Sequence, residues 1–435
     1  MPIFAHIIIE SMTLRFLLLF FCSMISWNSV AQYAPALLVL KNASIIDADH
    51  KTPSGPQSIV ISNGRIVSIS SPSKLSIPDS AVVIDLKGKY LLPGLIDGHV
   101  HFATDPSGID NRSHTLEVLE QMLYAGVTTV RDMAGDARTL ASLSRDAAVG
   151  DIIAPDIYYS ALMAGPTFFD DPRTVVSSKN GRSGGMPYMT AVSDTTNLQL
   201  AVAQAKGTGA SGIKLYADLS AKLATRIITE SKKQHFPVWA HARLKGLKPS
   251  DLVNAGVISI SHAPLLIYEK MEKVPDNWKT GKFTKDAWDK MVPDLNDLFL
   301  LMKKNHVIFD ATLLTYKDWA ENDTTMQWDY EIGQRIAARA YAAGVSICAG
   351  VDLDQKRFVH DEMIVLVKDA GFKSIDAIIA GTKNSAAAIA LDSSRGTIAE
   401  GMNADLLILN KNPLDDISNI KDVNFVVKGG RIFKR

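Results

Sequence analysis

The sequence predicts an α/β fold, a (β/α)8 TIM barrel inserted into a small β-sandwich built from both ends of the chain. Three observations carry this. Residues 93–390 run as eight strand-then-helix units, and the flanking segments alternate short strand-like runs with turn residues. Polar residues able to do chemistry fall at the C-terminal ends of the eight strands, the face on which such barrels place their reactive groups.

The composition agrees. Of 435 residues, 47% are hydrophobic and 21% charged, enough apolar material for a large core, so a disordered chain is excluded. Lys plus Arg and Asp plus Glu are both 46, so no net field attracts a polyphosphate, and nucleic-acid binding is not expected. Of the two cysteines, Cys22 lies in a segment expected to be removed, which leaves Cys348 without an internal disulfide partner.

Residues 1–31 are expected to be a signal peptide. Arg15 precedes the apolar run Phe16-Leu17-Leu18-Leu19-Phe20-Phe21-Cys22-Ser23-Met24-Ile25, and Ser29-Val30-Ala31 offers the small residues that signal peptidase needs, with cleavage before Gln32. The run falls short of the ~20 apolar residues that span a bilayer, so no stable membrane anchor is expected. Phe20 and Phe21 argue against lipoprotein processing at Cys22. Glu10 fits poorly in a basic leader, and initiation at Met12 would remove it. The mature protein is therefore expected in the periplasm or the medium.

Residues 32–92 form the first part of the sandwich. Strand-like runs appear at 37–40, 44–46, 58–61, 65–69 and 82–85, and Asn63-Gly64 between two of them is a hairpin signal. Residues 391–435 repeat the style at 405–409, 424–428 and 431–433. Neither piece is large enough to stand alone, so the two are expected to share one sheet assembly.

Within 93–390 the barrel strands are expected at 95–101, 127–133, 156–161, 212–218, 237–242, 257–263, 307–313 and 345–352. Residues 164–197, rich in Gly, Asp and Ser, read as a long loop after the third strand. Residues 268–298, with Trp278, Phe283 and Trp288, read as a helical insertion after the sixth. Both would leave from the reactive face.

At the end of the first strand, Asp97, His99 and His101 alternate with Gly98 and Val100, and a period of two places all three on one face. His241, His262 and Asp352 end the fifth, sixth and eighth strands. Lys214 ends the fourth, 27 residues before His241. An ammonium among cation ligands would repel divalent ions, whereas carboxylation by CO2 turns the side chain into an anion with two oxygens. The other readings of Lys214 are a side chain turned out to solvent or one gripping a substrate carboxylate. Tyr216, two residues beyond Lys214, and Arg243, two beyond His241, are candidate substrate contacts, with His360 after the eighth strand. Each has a plain alternative: a wall residue, a surface cation and a helix-cap partner. Arg131-Asp132 reads as a tie within the barrel, and Asp97 as a partner that orients a ligand imidazole.

These motifs carry a resemblance. Leu92-Pro93-Gly94-Leu95-Ile96-Asp97-Gly98-His99-Val100-His101, Gly126-Val127-Thr128-Thr129-Val130-Arg131-Asp132, Gly350-Val351-Asp352, His360-Asp361-Glu362-Met363 and the ending Gly396-Thr397-Ile398-Ala399-Glu400-Gly401 resemble the metal-dependent amidohydrolase superfamily, over nearly the whole mature chain. The prolidase and imidazolonepropionase-like branch with a carboxylated lysine is the most similar part of it. The resemblance implies two divalent ions, zinc being expected. His99, His101 and Asp352 would hold the buried one, His241 and His262 the exposed one, and carboxylated Lys214 would bridge them. Branch members often carry Gly-Gly-His after the third strand, but here Gly184-Gly185 is followed by Met186, so the substrate does not carry over.

The ligand set implies a hydroxide generated at neutral pH, with Asp352 as general acid and base. The expected activity is hydrolysis of an amide bond in a dipeptide (Xaa-Pro-like) or an N-acyl amino acid. The alternatives are a mononuclear cyclic-amide hydrolase or deaminase, and a metal-bearing binding protein without turnover. The expected partner is a small molecule, and a homo-oligomer is compatible with the sequence.

Overall fold

A computed structural model of the chain describes residues 35–74, 76–104, 111–244, 246–271, 294–352 and 357–435. The signal-peptide reading of 1–31, including the choice between Met1 and Met12, lies outside these residues.

Five strands open the described chain: β1 (Leu37–Ile45), β2 (Gln57–Ser62), β3 (Arg65–Ser70), β4 (Val82–Asp85) and β5 (Tyr90–Pro93). They join three from the other end, β16 (Leu406–Leu409), β17 (Val423–Lys428) and β18 (Arg431–Phe433), in the order β18-β17-β16-β5-β1-β2-β3, with β4 also on β1. Alternation explains why the ends need each other. Leu38, Leu40, Ile59 and Ile61 pack in one cluster with Leu406, Ile408 and Val427, so each piece supplies one half of a core. The Asn63-Gly64 turn has φ 49° and 74°, as a two-residue hairpin requires. It rests on the Gly429-Gly430 turn: a Cβ on Gly64 would stand 3.0 Å from the Gly429 carbonyl oxygen.

Between these segments lies the barrel, β6 (Leu95–Val100), β7 (Val127–Asp132), β8 (Asp156–Ala164), β11 (Gly212–Leu215), β12 (Val238–His241), β13 (Ser259–Ser261), β14 (Ile308–Asp310) and β15 (Ile347–Cys348). Each pairs in parallel with the next. The Gly98 amide donates to the Ala349 carbonyl (2.9 Å) and the Asp352 amide to the His99 carbonyl (2.7 Å), which brings the eighth strand back to the first. All eight expected strands are present; β8 runs three residues beyond the expected 156–161, and the other seven are shorter than expected by one or more residues.

Residues 164–197 are not the structureless loop expected. They hold a 3-10 turn (Pro166–Asp170), a short helix (Pro172–Ser177) and a hairpin of β9 (Gly185–Met186) and β10 (Met189–Ala191), and β10 pairs in parallel with β8. The extra strand satisfies backbone groups of an excursion whose polar composition hides the pairing. After β13 comes a 3-10 helix, Ala263–Lys270, and a helix resumes at Asn296–Lys304. Trp278, Phe283 and Trp288 of the expected insertion lie outside the described residues.

Candidate metal centre

The chain changes direction at the barrel mouth, and the backbone there is strained. Ala134, Asp218, His262, Thr312 and Asp352, each just past a barrel strand, have φ between 48° and 96°. A non-glycine residue in that region costs about 1–3 kcal/mol, and such strain gathers at functional sites. Ala134, His262 and Asp352 of this set line one cavity of ≈ 330 Å³.

His99, His101, Lys214, His241, His262 and Asp352 all line that cavity, as do Tyr216 and Arg173. His99 is fixed through Nδ1, 2.7 Å from Asp310 Oδ2. Its Nε2 lies 3.2 Å from Lys214 Nζ and 3.4 Å from Asp352 Oδ1. His101 Nδ1 donates to the Ala134 carbonyl (3.2 Å) and its Nε2 is 3.1 Å from the same Asp352 oxygen. His262 Nδ1 is 3.0 Å from Thr312 Oγ1 and 3.6 Å from Asp352 Oδ2, and His241 Nδ1 is 3.1 Å from the Arg243 carbonyl. The rings of His241 and His262 stand 4.5 Å apart, between centroids, and those of His99 and His262 5.3 Å. Holding one ring nitrogen by an acceptor leaves the other free as a ligand, the arrangement found around protein-bound metals.

Electrostatics favour ligation over proton binding. Burial, with Lys214 adding to it, brings the His241 imidazole down to about 3, and burial holds His99 and His262 well below their usual value. Neutral rings are what a cation requires. Burial alone would raise the Asp352 carboxyl, but His99, His101 and Lys214 more than reverse this, so it stays ionised. Lys214, at 2% exposure, is the exception in the set. Burial depresses its amine, and among the described residues no carboxylate comes within ion-pair distance of it.

The residues therefore fit a divalent cation by donor type: four imidazoles, one carboxylate and a buried lysine line one space. His99, Asp352 and His262 have donor atoms within 4.8 Å of one another.

Three residues stand elsewhere than expected. Asp97 does not orient an imidazole; its Oδ1 accepts from the backbone amides of His99 (3.1 Å) and Val351 (3.1 Å) and so ties β6 to the end of the eighth strand. Asp310 performs the orienting role, in a buried set with Ser261 Oγ at 2.8 Å and Arg131 Nη2 at 3.7 Å. His360 is no substrate contact: it is buried outside the cavity, with Nε2 donating to the Ala125 carbonyl at 2.8 Å. Arg243 is 9% exposed and stacks 4.8 Å from the Tyr268 ring centre, lining an adjoining chamber rather than the main one. Arg131 is the barrel tie expected, donating through Nε to the Gly98 carbonyl (2.6 Å) and through Nη1 to Ser259 Oγ (3.2 Å) and the Ala388 carbonyl (3.1 Å).

Asp310, Thr312, Arg173, Tyr316 and Trp319 were not anticipated. Asp310 had a signal, an acid ending the seventh strand just as Asp352 ends the eighth. Arg173 had none, since it sits in the polar stretch after the third strand.

A family model described as the amidohydrolase family matches residues 90–433. The ochratoxinase of Aspergillus niger is 24% identical over 390 residues, covering 79% of this chain and 75% of its own. A crystal structure of a Xaa-Pro dipeptidase with methionine bound in its active site superposes with TM-score 0.69 at 21% identity, covering 92% of this chain and 100% of the other. The structure of a putative prolidase from Bifidobacterium longum does so with TM-score 0.68 at 23% identity, covering 93% and 96%. With the barrel, its strand-end ligands and a match across most of its length, the chain belongs to the amidohydrolase family and is a hydrolase of carbon–nitrogen bonds.

Proposed function

We propose that this protein is a binuclear metallohydrolase that cleaves the amide bond of a dipeptide or an N-acyl amino acid. The observation that carries it is Lys214: a buried amine 3.2 Å from His99 Nε2, among imidazoles and, among the described residues, without an ion-pair carboxylate. A lysine so placed raises the electrostatic energy of any cation beside it. Attack of the neutral amine on CO2 forms an N–C bond and releases one proton, giving a carbamate with one negative charge and two oxygens. The site would then offer His99, His101 and Asp352 to one divalent ion and His241 and His262 to a second, and the carbamate would add two anionic oxygens to the same space.

Divalent ions held there, zinc being the expected species, would supply Lewis acidity for an activated water at neutral pH and for polarisation of the scissile carbonyl. Asp352 accepts the proton of the attacking water and delivers it to the leaving nitrogen, for which its retained ionisation suits it. Tyr216, whose ring stands 4.6 Å from that of His241, presents a hydroxyl beside the reacting group. The Xaa-Pro dipeptidase and prolidase among the similar structures support a dipeptide amide as substrate. The leader at 1–31 supports export and cleavage before Gln32; a mature N-terminus elsewhere, found by mass spectrometry of the secreted protein, would refute that cleavage.

The test is metal analysis with turnover on a panel of dipeptides and N-acyl amino acids. Two zinc equivalents per chain, falling to about one or fewer in Lys214→Met, are expected. Asp352→Asn should lower kcat by about 10²–10⁴-fold, the worth of a positioned proton carrier. A single metal per wild-type chain, or full turnover by Asp352→Asn with its metals bound, defeats the binuclear mechanism.

A further inference from the structure

Glu362 follows His360 and Asp361 in the first turn of the helix Val359–Ala370, is 0% exposed and does not line the cavity. Its two carboxylate oxygens bond outside their own helix. Oε1 accepts from the Leu313 amide at 3.0 Å and Oε2 from the Leu314 amide at 2.6 Å, the first two amides of the helix Leu313–Asn322. A helix commonly meets such amides with the side chain of the residue before it. Here that residue is Thr312, whose backbone is left-handed at φ 48° and whose hydroxyl stands 3.0 Å from His262 Nδ1. Glu362 therefore caps the helix from another element, and a carboxylate suits its positive end.

The turn so capped carries two contacts with candidate metal ligands. Thr312, just before it, meets His262. Thr315, within it, reaches the carbonyl oxygens of Val351 and Asp352 through Oγ1, the latter at 2.9 Å. Thr312 and Asp352 both hold positive φ, 48° and 50°, a conformation that persists in a non-glycine residue only where the surroundings impose it. His262 and Asp352 are also two of the three residues whose donor atoms lie within 4.8 Å of one another. One buried carboxylate thus secures the segment that touches both.

We propose that Glu362 is a positioning residue for the hydrolysis: by pinning the first turn of the helix Leu313–Asn322, it fixes Thr312 against His262 and Thr315 against the Asp352 backbone, and so sets the donor geometry that a divalent ion meets. The proposal rests on the metallohydrolase reading above for the roles of His262 and Asp352. The same two helices meet again farther along, where Lys317 Nζ lies 2.8 Å from Asp369 Oδ2, and neither of these residues lines the cavity. That outer pair distinguishes holding the helices together from setting the site.

The test is zinc affinity, measured by competition with a chromophoric chelator. Glu362→Gln, which puts an amide N–H donor where one acceptor stood, should weaken zinc binding about 10–100-fold, the range for residues that hold a ligand in place. Glu362→Asp keeps both oxygens on a shorter arm and should lose less. In a Thr312→Ala/Thr315→Val background the further effect of Glu362→Gln should shrink to about threefold or less, because the contacts through which it acts are gone. Lys317→Met should keep zinc affinity within about twofold of wild type even where it lowers Tm. The visible absorption of the cobalt-loaded protein, which reads ligand geometry, should change in Glu362→Gln and not in Lys317→Met. Wild-type zinc affinity in Glu362→Gln overturns the proposal. So does an undiminished loss in the background that lacks both threonine hydroxyls, or an equal loss in Lys317→Met. Should Glu362→Gln not fold, Glu362→Asp replaces it in the same comparison, with the same outcomes. Turnover is scored separately: the expected zinc affinities in a protein that hydrolyses no dipeptide strike the dipeptide hydrolase reading and leave the positioning role standing.

Discussion

At the level of single residues, the site depends on who holds the imidazoles. Asp310 fixes His99 from behind at 2.7 Å, and its replacement by Asn keeps an oxygen for Nδ1 to donate to while removing the charge. We expect Asp310→Asn to weaken metal binding about 10–100-fold, measured by chelator competition; unchanged affinity would show that Asp310 only packs. That His99, His101, Lys214, His241, His262 and Asp352 share one cavity was legible because each lies at or near the C-terminal end of a barrel strand. Their partners were not, because hydrogen bonding across β13, β14 and β15 depends on lateral neighbours that spacing along the chain does not reveal. Asp97, given the wrong partner for that reason, binds backbone instead. His360 shows the same limit, and it carries a pH prediction. Its folded-state value is lowered by burial to about 4, opposed by the Ala125 carbonyl, from an unfolded value of 6.5. Between those values the unfolded chain binds more protons, so its contribution, roughly 3 kcal/mol at most, is complete above pH 6.5 and is lost as the pH falls towards 4. His360→Gln should flatten the fall of Tm over that interval; an unaltered slope would place the titrating groups elsewhere.

Among the elements, β15 and the residues after it are closely constrained around the site. Gly350 lies between β15 and Asp352, where an added Cβ would come within 2.6 Å of His99 Cβ and 2.7 Å of Asp310 Oδ1. Neither neighbour can yield without moving a ligand, so Gly350→Ala is expected to lower metal content and to reduce kcat/KM by at least about tenfold. Metal content equal to wild type would show that the strand end shifts instead. Sequence exposed the strands of this barrel through their apolar runs and the helices through their spacing. It missed β9 and β10 because a two- or three-residue strand has no period to detect, and Gly184, at φ 73°, Gly185 and Pro187 read as loop punctuation. That hairpin matters to function, since Met189 of β10 lines the main cavity.

For the whole molecule, the question is how the barrel stays joined to the sheet made by the chain ends. Apolar alternation predicted that those ends pair, and β5 does lie between β1 and β16, with Leu92 opposite Leu407 and Leu91 opposite Ile408. The polar part of the junction was hidden, because its members are separated by hundreds of residues. Arg395, 8% exposed, donates to Thr129 Oγ1 of β7 at 2.7 Å and pairs with Asp156 at the start of β8 (2.7 Å) and Asp405 just before β16 (3.1 Å), while Lys428 of β17 reaches Asp156 at 2.6 Å. Two cations and two carboxylates balance, so the network tolerates burial as a set and suffers when one member is removed. Burial raises the Asp405 carboxyl and Arg395 opposes it, so Arg395→Met leaves Asp405 buried without its main counter-charge. We expect that variant to lose about 3–5 kcal/mol of unfolding free energy, read from denaturant midpoints at constant m. Arg395→Met combined with Asp405→Leu should recover much of the loss, because the double change removes the stranded charge along with its partner. A double variant as unstable as the sum of the two singles would mean that each residue holds the junction independently, and the ion network would then not be what locks barrel to sheet.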